Sequence, residues 1–204
     1  MQIKQGARFL SYFFHPLLIP TYGTATFVYL HLLFPVNEQH FSLGLKLIFL
    51  IFLFTFALPV LSSLWFMRLG LIKDLEMQSS EERRIPFLTT GIIYSISYYF
   101  IGKMHLSQSF ETFILGGTVA IVLGIIINYR WKISMHMMGM GVYTGLLMGL
   151  SEIFVLRIYW LLTLSIILSG LVAASRLFLG AHSERQIYIG YLLGMFAVYI
   201  FYLL

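Results

Sequence analysis

Residues 157–186 read RIYWLLTLSIILSGLVAASRLFLGAHSERQ. A helix crosses the hydrocarbon core of a bilayer with about 20 apolar residues. This stretch supplies such a run and follows it with Ser175-Arg176, then, after five further residues, His182. A second apolar run, 185–204, starts directly behind. Ionisable side chains at a membrane edge are usually there for use. Arg176 cannot lose its proton and offers a planar fork of donors suited to phosphate oxygens, whereas His182 can exchange protons or act as a nucleophile near neutral pH. The stretch therefore predicts a membrane-spanning helical architecture with phosphate chemistry at its lipid–water edge.

The same ruler, moved along the chain, marks seven candidate spans: 14–35, 44–67, 87–104, 110–130, 135–151, 157–175 and 185–204. The first contains His15, Pro16 and Pro20, which can break it, and the fifth is short and rich in Gly and Met. The expectation is an all-α, polytopic transmembrane bundle of six to seven spans, forming a single integral membrane domain over residues 1–204. Composition agrees, with 59% hydrophobic and 10% charged residues and a mean hydropathy of +0.88, values that exclude a soluble globular domain. There is no cysteine, so disulfides and thiolate-bound metals drop out. The net charge of +5 comes from cations placed in ones and twos between apolar runs. That spacing argues against nucleic acid and for anionic lipid headgroups or phosphate. Residues Met1–Leu10 carry Lys4 and Arg8 but no small-residue cleavage site, so no removable signal peptide is expected.

Three polar clusters interrupt the apolar pattern. The first, Lys73-Asp-Leu-Glu-Met-Gln-Ser-Ser-Glu-Glu-Arg83-Arg84-Ile-Pro86, sets two arginines before a proline-started helix, where the helix N-terminus favours an anion. A solvated loop with internally paired charges is the plainer account. The second is Trp131-Lys132-Ile-Ser134-Met-His136, ahead of the Gly-rich segment 137–149. Here Ser134 could donate to a phosphate oxygen or simply cap the helix, and His136 could act as a general acid. Gly139, Gly141, Gly145 and Gly149 point to close helix packing more than to a ligand cradle. The third is Ser175-Arg176 through His182 to Gln186, continuing to Gly190 and Gly194. One pair of spans separates each cluster from the next, so all three are expected on one face of the membrane, as a shared site requires.

In order and spacing these clusters resemble the membrane branch of the type 2 phosphatidic acid phosphatase superfamily, relatives of the vanadium haloperoxidases. That family's signature is a lysine six residues before Arg-Pro, then Pro-Ser-Gly-His, then Ser-Arg-x5-His with Asp four further on. The third part is present here as Ser175-Arg176-x5-His182, and the second survives as Ser134-x-His136. The first is looser, since Ile85 separates Arg84 from Pro86 and Lys73 stands far upstream. The likeness covers residues 68–204. It implies a metal-independent phosphatase, without cofactor, acting on a lipid phosphate or isoprenyl diphosphate through a phosphohistidine. It assigns His182 as nucleophile, His136 as acid, and Arg176, Ser134, Arg84 or Arg83 as ligands of the phosphate oxygens. Lys73 or Lys132 would stand for the family lysine. Gln186 replaces the family aspartate; its amide oxygen can still accept a hydrogen bond from the histidine but brings no charge.

His15, His31, His40 and His105 lack companions at ligand spacing and read as interfacial or packing residues. Of 13 Lys and Arg, all but Lys46, Lys103 and Arg157 fall on the candidate face. A positive-inside bias would turn that face to the cytoplasm, whereas bacterial relatives of the resembled superfamily work on the outer face. The expectation adopted is a bacterial inner-membrane protein with an extracytoplasmic site and a membrane lipid as partner. Two other classes stay open: a non-catalytic relative that binds anionic headgroups, and a small transporter, against which the placement of the charges at helix ends counts.

Overall fold

The computed structural model describes residues 2–30, 40–75, 77, 79–153 and 158–204. The end of the first expected span, His31, the side chain of His40, and Arg157 lie outside this description. All regular structure among the described residues is helical, and five helical stretches are long and apolar enough to cross a membrane: Ser42–Arg68, Arg84–Gly102, Gln108–Asn128, Tyr159–Phe178 and Glu184–Leu203.

Helix α1 (Gln2–Phe13) precedes the first expected span and is amphipathic. It stops where Pro16 would have to continue it, and His15 instead caps a short 3₁₀ turn, Pro16–Leu18, its Nδ1 accepting from Leu17 N–H at 3.3 Å. Helix α2 (Ile19–Tyr29) follows at once. The next span is α3 (His40–Phe52) and α4 (Leu58–Arg68), joined by one π-helical turn, Leu53–Ala57. Pro59 accounts for that turn. It has no N–H for the carbonyl of Thr55, four residues back, and that carbonyl instead accepts a long hydrogen bond from the hydroxyl of Tyr94, at 3.5 Å.

The bundle continues with α5 (Arg84–Gly102), α6 (Gln108–Asn128), α7 (Met135–Ile153), α8 (Tyr159–Phe178) and α9 (Glu184–Leu203). Ser107 and Ser183 start α6 and α9 as N-caps. The fifth expected span appears as α7, but its Met- and Gly-rich face is buried along the whole helix. It forms the axis of the bundle, packed between the helices around it.

Helices α7 and α9 lie parallel and in direct backbone contact. A Cβ on Gly141 would collide with the carbonyl of Tyr191, and one on Gly194 with the carbonyl of Met138. Glycine at these positions lets the two backbones approach as small-residue motifs do in membranes. At the far end the Tyr202 hydroxyl donates to the carbonyl of Ser109 at 2.6 Å, tying α9 to the start of α6. The first turns of α7 and α9 consequently share one end of the bundle with the last turn of α8 and the first of α5.

Candidate active site

At that end lies a cavity of about 390 Å³. Its mouth is cationic, with Arg83, Lys132 and Arg176 beside His136 and His182, and its floor is apolar, formed by residues such as Val60, Phe87, Ile121 and Val142. No Asp or Glu stands among the described lining residues.

His182 sits on the short connection between α8 and α9 and is 8% exposed. Its orientation follows from a chain of obligatory donors. The backbone N–H of Ser183 can only donate, and it meets Gln186 Oε1 at 3.1 Å, which fixes which end of the amide is oxygen. That same oxygen lies 3.1 Å from His182 Nδ1, so Nδ1 carries the proton and donates. The lone pair is left on Nε2. Burial first, and then the Arg83 guanidinium, lower the pKa of His182 to about 3, with Gln186 pulling upward and Arg176 and Lys132 downward. The ring is therefore neutral at physiological pH. Capping box and tautomer control are one arrangement here, because Gln186 occupies the third position of α9 and serves both.

His136, in the first turn of α7, faces α1. Its Nε2 lies 3.0 Å from the carbonyl of Ser11, an atom that can only accept, so Nε2 bears the proton. Arg176 Nη1 donates to the hydroxyl of Ser11 at 3.2 Å. The His15 ring stands edge-on to His136, with centroids 5.5 Å apart.

Arg83 is 7% exposed, and its Nε donates to the carbonyl of Met77 at 2.8 Å, which holds the guanidinium in the cavity wall. Burial and the nearby Arg176 lower its pKa to about 10. Met77 itself has φ of 45° and is held there by Asp74, whose carboxylate accepts its N–H at 2.9 Å. The loop is fastened to α6 through Asn128, which donates to the carbonyl of Ser80 at 3.0 Å. The Lys132 ammonium is also depressed, by burial first and then by Arg83 and Arg176.

Of the residues singled out in the sequence, the structure gathers Arg83, Lys132, His136, Arg176 and His182 around one cavity and sets Gln186 directly behind His182. Ser134 is fully buried and does not line the cavity; its hydroxyl accepts from Met137 N–H at 3.5 Å, in the manner of a helix cap. Arg84 faces outward, with its guanidinium 4.4 Å over the ring of Tyr129. Lys73 is exposed and away from the cavity wall, so Lys132 is the lysine brought to the site.

Sequence reading missed the contribution of the N-terminal segment. Lys4, Arg8, Ser11 and His15 all line the cavity, and His15, read as an interfacial or packing residue, touches His136. The signal was present as a stripe: positions 4, 8, 11 and 15 recur at the 4–3–4 spacing of one helical face. Among the described residues no three His, Asp or Glu side chains gather closely enough to hold a metal ion. No protein-family model matches the chain, and neither the curated proteins nor the solved structures provide a match.

Proposed function

We propose that the protein is an integral membrane phosphatase that removes phosphate from a lipid phosphomonoester or diphosphate by way of a phosphohistidine, as the resemblance to the type 2 phosphatidic acid phosphatase superfamily implies. The observation that carries the reading is the Ser183–Gln186–His182 relay. It holds a histidine that burial and the neighbouring cations keep neutral in the one tautomer whose Nε2 can attack. Arg83, Lys132 and Arg176 around that nitrogen supply the positive field that a phosphoryl group spreading charge onto its oxygens requires.

The chemistry runs in two displacements. Nε2 of His182 attacks phosphorus and the bond to the lipid oxygen breaks, that oxygen taking the Nε2 proton of His136. Water then attacks the phosphohistidine, the N–P bond breaks, the water's proton passes to His136, and inorganic phosphate leaves. The Nδ1 proton of His182 stays on the ring throughout, donated to Gln186 Oε1, and that hydrogen bond stabilises the positive charge of the intermediate. For the first step His136 must release the carbonyl of Ser11. The apolar floor of the cavity would take the lipid chain, with the headgroup at the cationic mouth. The reading also includes six to seven spans, with α7 and the segment containing α2 crossing alongside the five apolar helices, and an outward-facing site in a bacterial inner membrane.

The test is phosphate release from phosphatidic acid and from isoprenyl diphosphate by purified protein in detergent. Wild type is expected to release phosphate, and His182→Ala and Arg176→Ala to abolish release while remaining folded. Turnover by His182→Ala equal to wild type would refute the nucleophile. Headgroup binding without any release in wild type would favour the non-catalytic alternative, which the contact between His136 and Ser11 and the uncharged Gln186 both make physically reasonable.

A further inference from the structure

Helix α1 has the amphipathic pattern of an interfacial helix. Such helices bury their apolar face in the lipid and turn their cations to water. Here the apolar side chains Ile3, Phe9 and Phe13 are exposed on the outside of the molecule, while Lys4 and Arg8, which keep access to water, line the cavity. Neither cation has a hydrogen-bonding or ionic partner among the described residues. What holds α1 in this attitude is Ser11, which is 5% exposed. Its carbonyl accepts from His136 and its hydroxyl from Arg176, so α1 is fixed at atoms that belong to the candidate reaction centre. At 1.5 Å of rise per residue, Arg8 lies about 4.5 Å and Lys4 about 10 Å along the helix axis from Ser11, both within the reach of long cationic side chains.

Charge arithmetic shows why these two cations are surplus to a single phosphate. A phosphate monoester carries about −1.5 to −2 at neutral pH, and the three cations Arg83, Lys132 and Arg176 already exceed it. Lys4 and Arg8 bring two more positive charges to the wall of the same cavity. His15 adds a neutral donor. Its Nδ1 accepts from Leu17 N–H, so its proton is on Nε2, and it lines the cavity beside His136. We propose that Lys4, Arg8 and His15 form a second anion subsite, and that the cavity takes a lipid diphosphate, one phosphate beside His182 and the adjoining one against α1. This rests on the reading of the cavity as a lipid-phosphate site and selects the diphosphate within it.

The experiment uses the full chain in detergent and two probes without a lipid tail, inorganic phosphate and inorganic pyrophosphate, with binding followed by calorimetry. Wild type should prefer pyrophosphate by about tenfold or more, the scale of one hydrogen bond to a charged group. Lys4→Gln/Arg8→Gln should lose that preference while its affinity for phosphate stays within about twofold. The double variant Arg68→Gln/Arg130→Gln, which removes two cations away from the cavity, should keep it and so control for net charge. Binding that shows no preference in wild type, or equal weakening of both probes by the α1 and control variants, overturns the subsite. Turnover then separates the two levels of the argument. If isoprenyl diphosphate and isoprenyl monophosphate are both hydrolysed, Lys4→Gln/Arg8→Gln should lower kcat/KM for the diphosphate selectively. If neither is hydrolysed but the α1-dependent preference persists, the subsite stands and the phosphatase reading falls. His15→Gln, which keeps an amide donor, should retain more of the preference than His15→Ala.

Discussion

Gln186 is the residue on which most of the proposed chemistry turns, since one amide oxygen caps α9 and sets the tautomer of His182. Glutamate has the same length and can accept from both donors, while adding the charge that glutamine lacks. Gln186→Glu is therefore expected to raise phosphate release by up to about tenfold, the scale of a charge-assisted hydrogen bond, and a pH–rate profile should show the acidic limb, set by deprotonation of His182, displaced upward. Gln186→Leu removes both bonds; it should cost about 1 kcal/mol in helix capping and most of the activity, read by thermal unfolding and phosphate release side by side. Linkage gives a further expectation. The pKa of His182 is about 3 in the folded protein against 6.5 when unperturbed, so between these values the unfolded chain binds a proton that the folded chain does not. Its contribution to stability is present in full above about pH 6.5 and is lost as pH falls toward 3. Thermal unfolding between pH 7 and 4.5 should accordingly decline more steeply for wild type than for His182→Gln. Arg176, His182 and Gln186 were legible in the sequence because they are neighbours on one connection. Ser11 was not, because its partners His136 and Arg176 are 125 and 165 residues away, and a serine in an amphipathic helix carries no mark of what it will meet.

At the scale of elements, hydropathy located the spans because lipid contact imposes it, and each of the five apolar helices falls where the expected segments lay. The break after α1 was also legible, through Pro16. The π turn ahead of Pro59 was not, since a proline in a long apolar run marks a disturbance without saying how the freed carbonyl is satisfied. The central place of α7 shows only in three dimensions: its glycines signalled close packing, but the partner, α9, lies beyond another full span. Two substitutions of the same kind test this packing in opposite directions. Gly194→Ala sets a methyl against the carbonyl of Met138, where neither backbone can yield cheaply, and should destabilise the protein by about 1–3 kcal/mol. Gly170→Ala on α8 meets nothing within 4 Å and should be neutral or stabilising by about 0.5–1 kcal/mol. Thermal unfolding in detergent compares them directly, and equal losses would mean that the α7–α9 contact is looser than described.

For the whole molecule, a cavity that gathers several cations, with no carboxylate among its described lining residues, favours the entry of an anion. Inorganic phosphate should accordingly raise the unfolding temperature, with about 2.7 kcal/mol gained at a concentration 100 times Kd, and Arg176→Gln should lose most of that protection. A shift that persists undiminished in Arg176→Gln would place the anion elsewhere. The bond from Arg176 to Ser11 has one more consequence, in the making of the protein. Ribosomes deliver residue 11 long before residue 176, and the two must meet for the mouth of the cavity to close. Until α8 and the connection behind it have been made, the chain has neither Arg176 nor His182. The growing polypeptide thus holds no complete candidate site until its opening helix is clasped by one of its last.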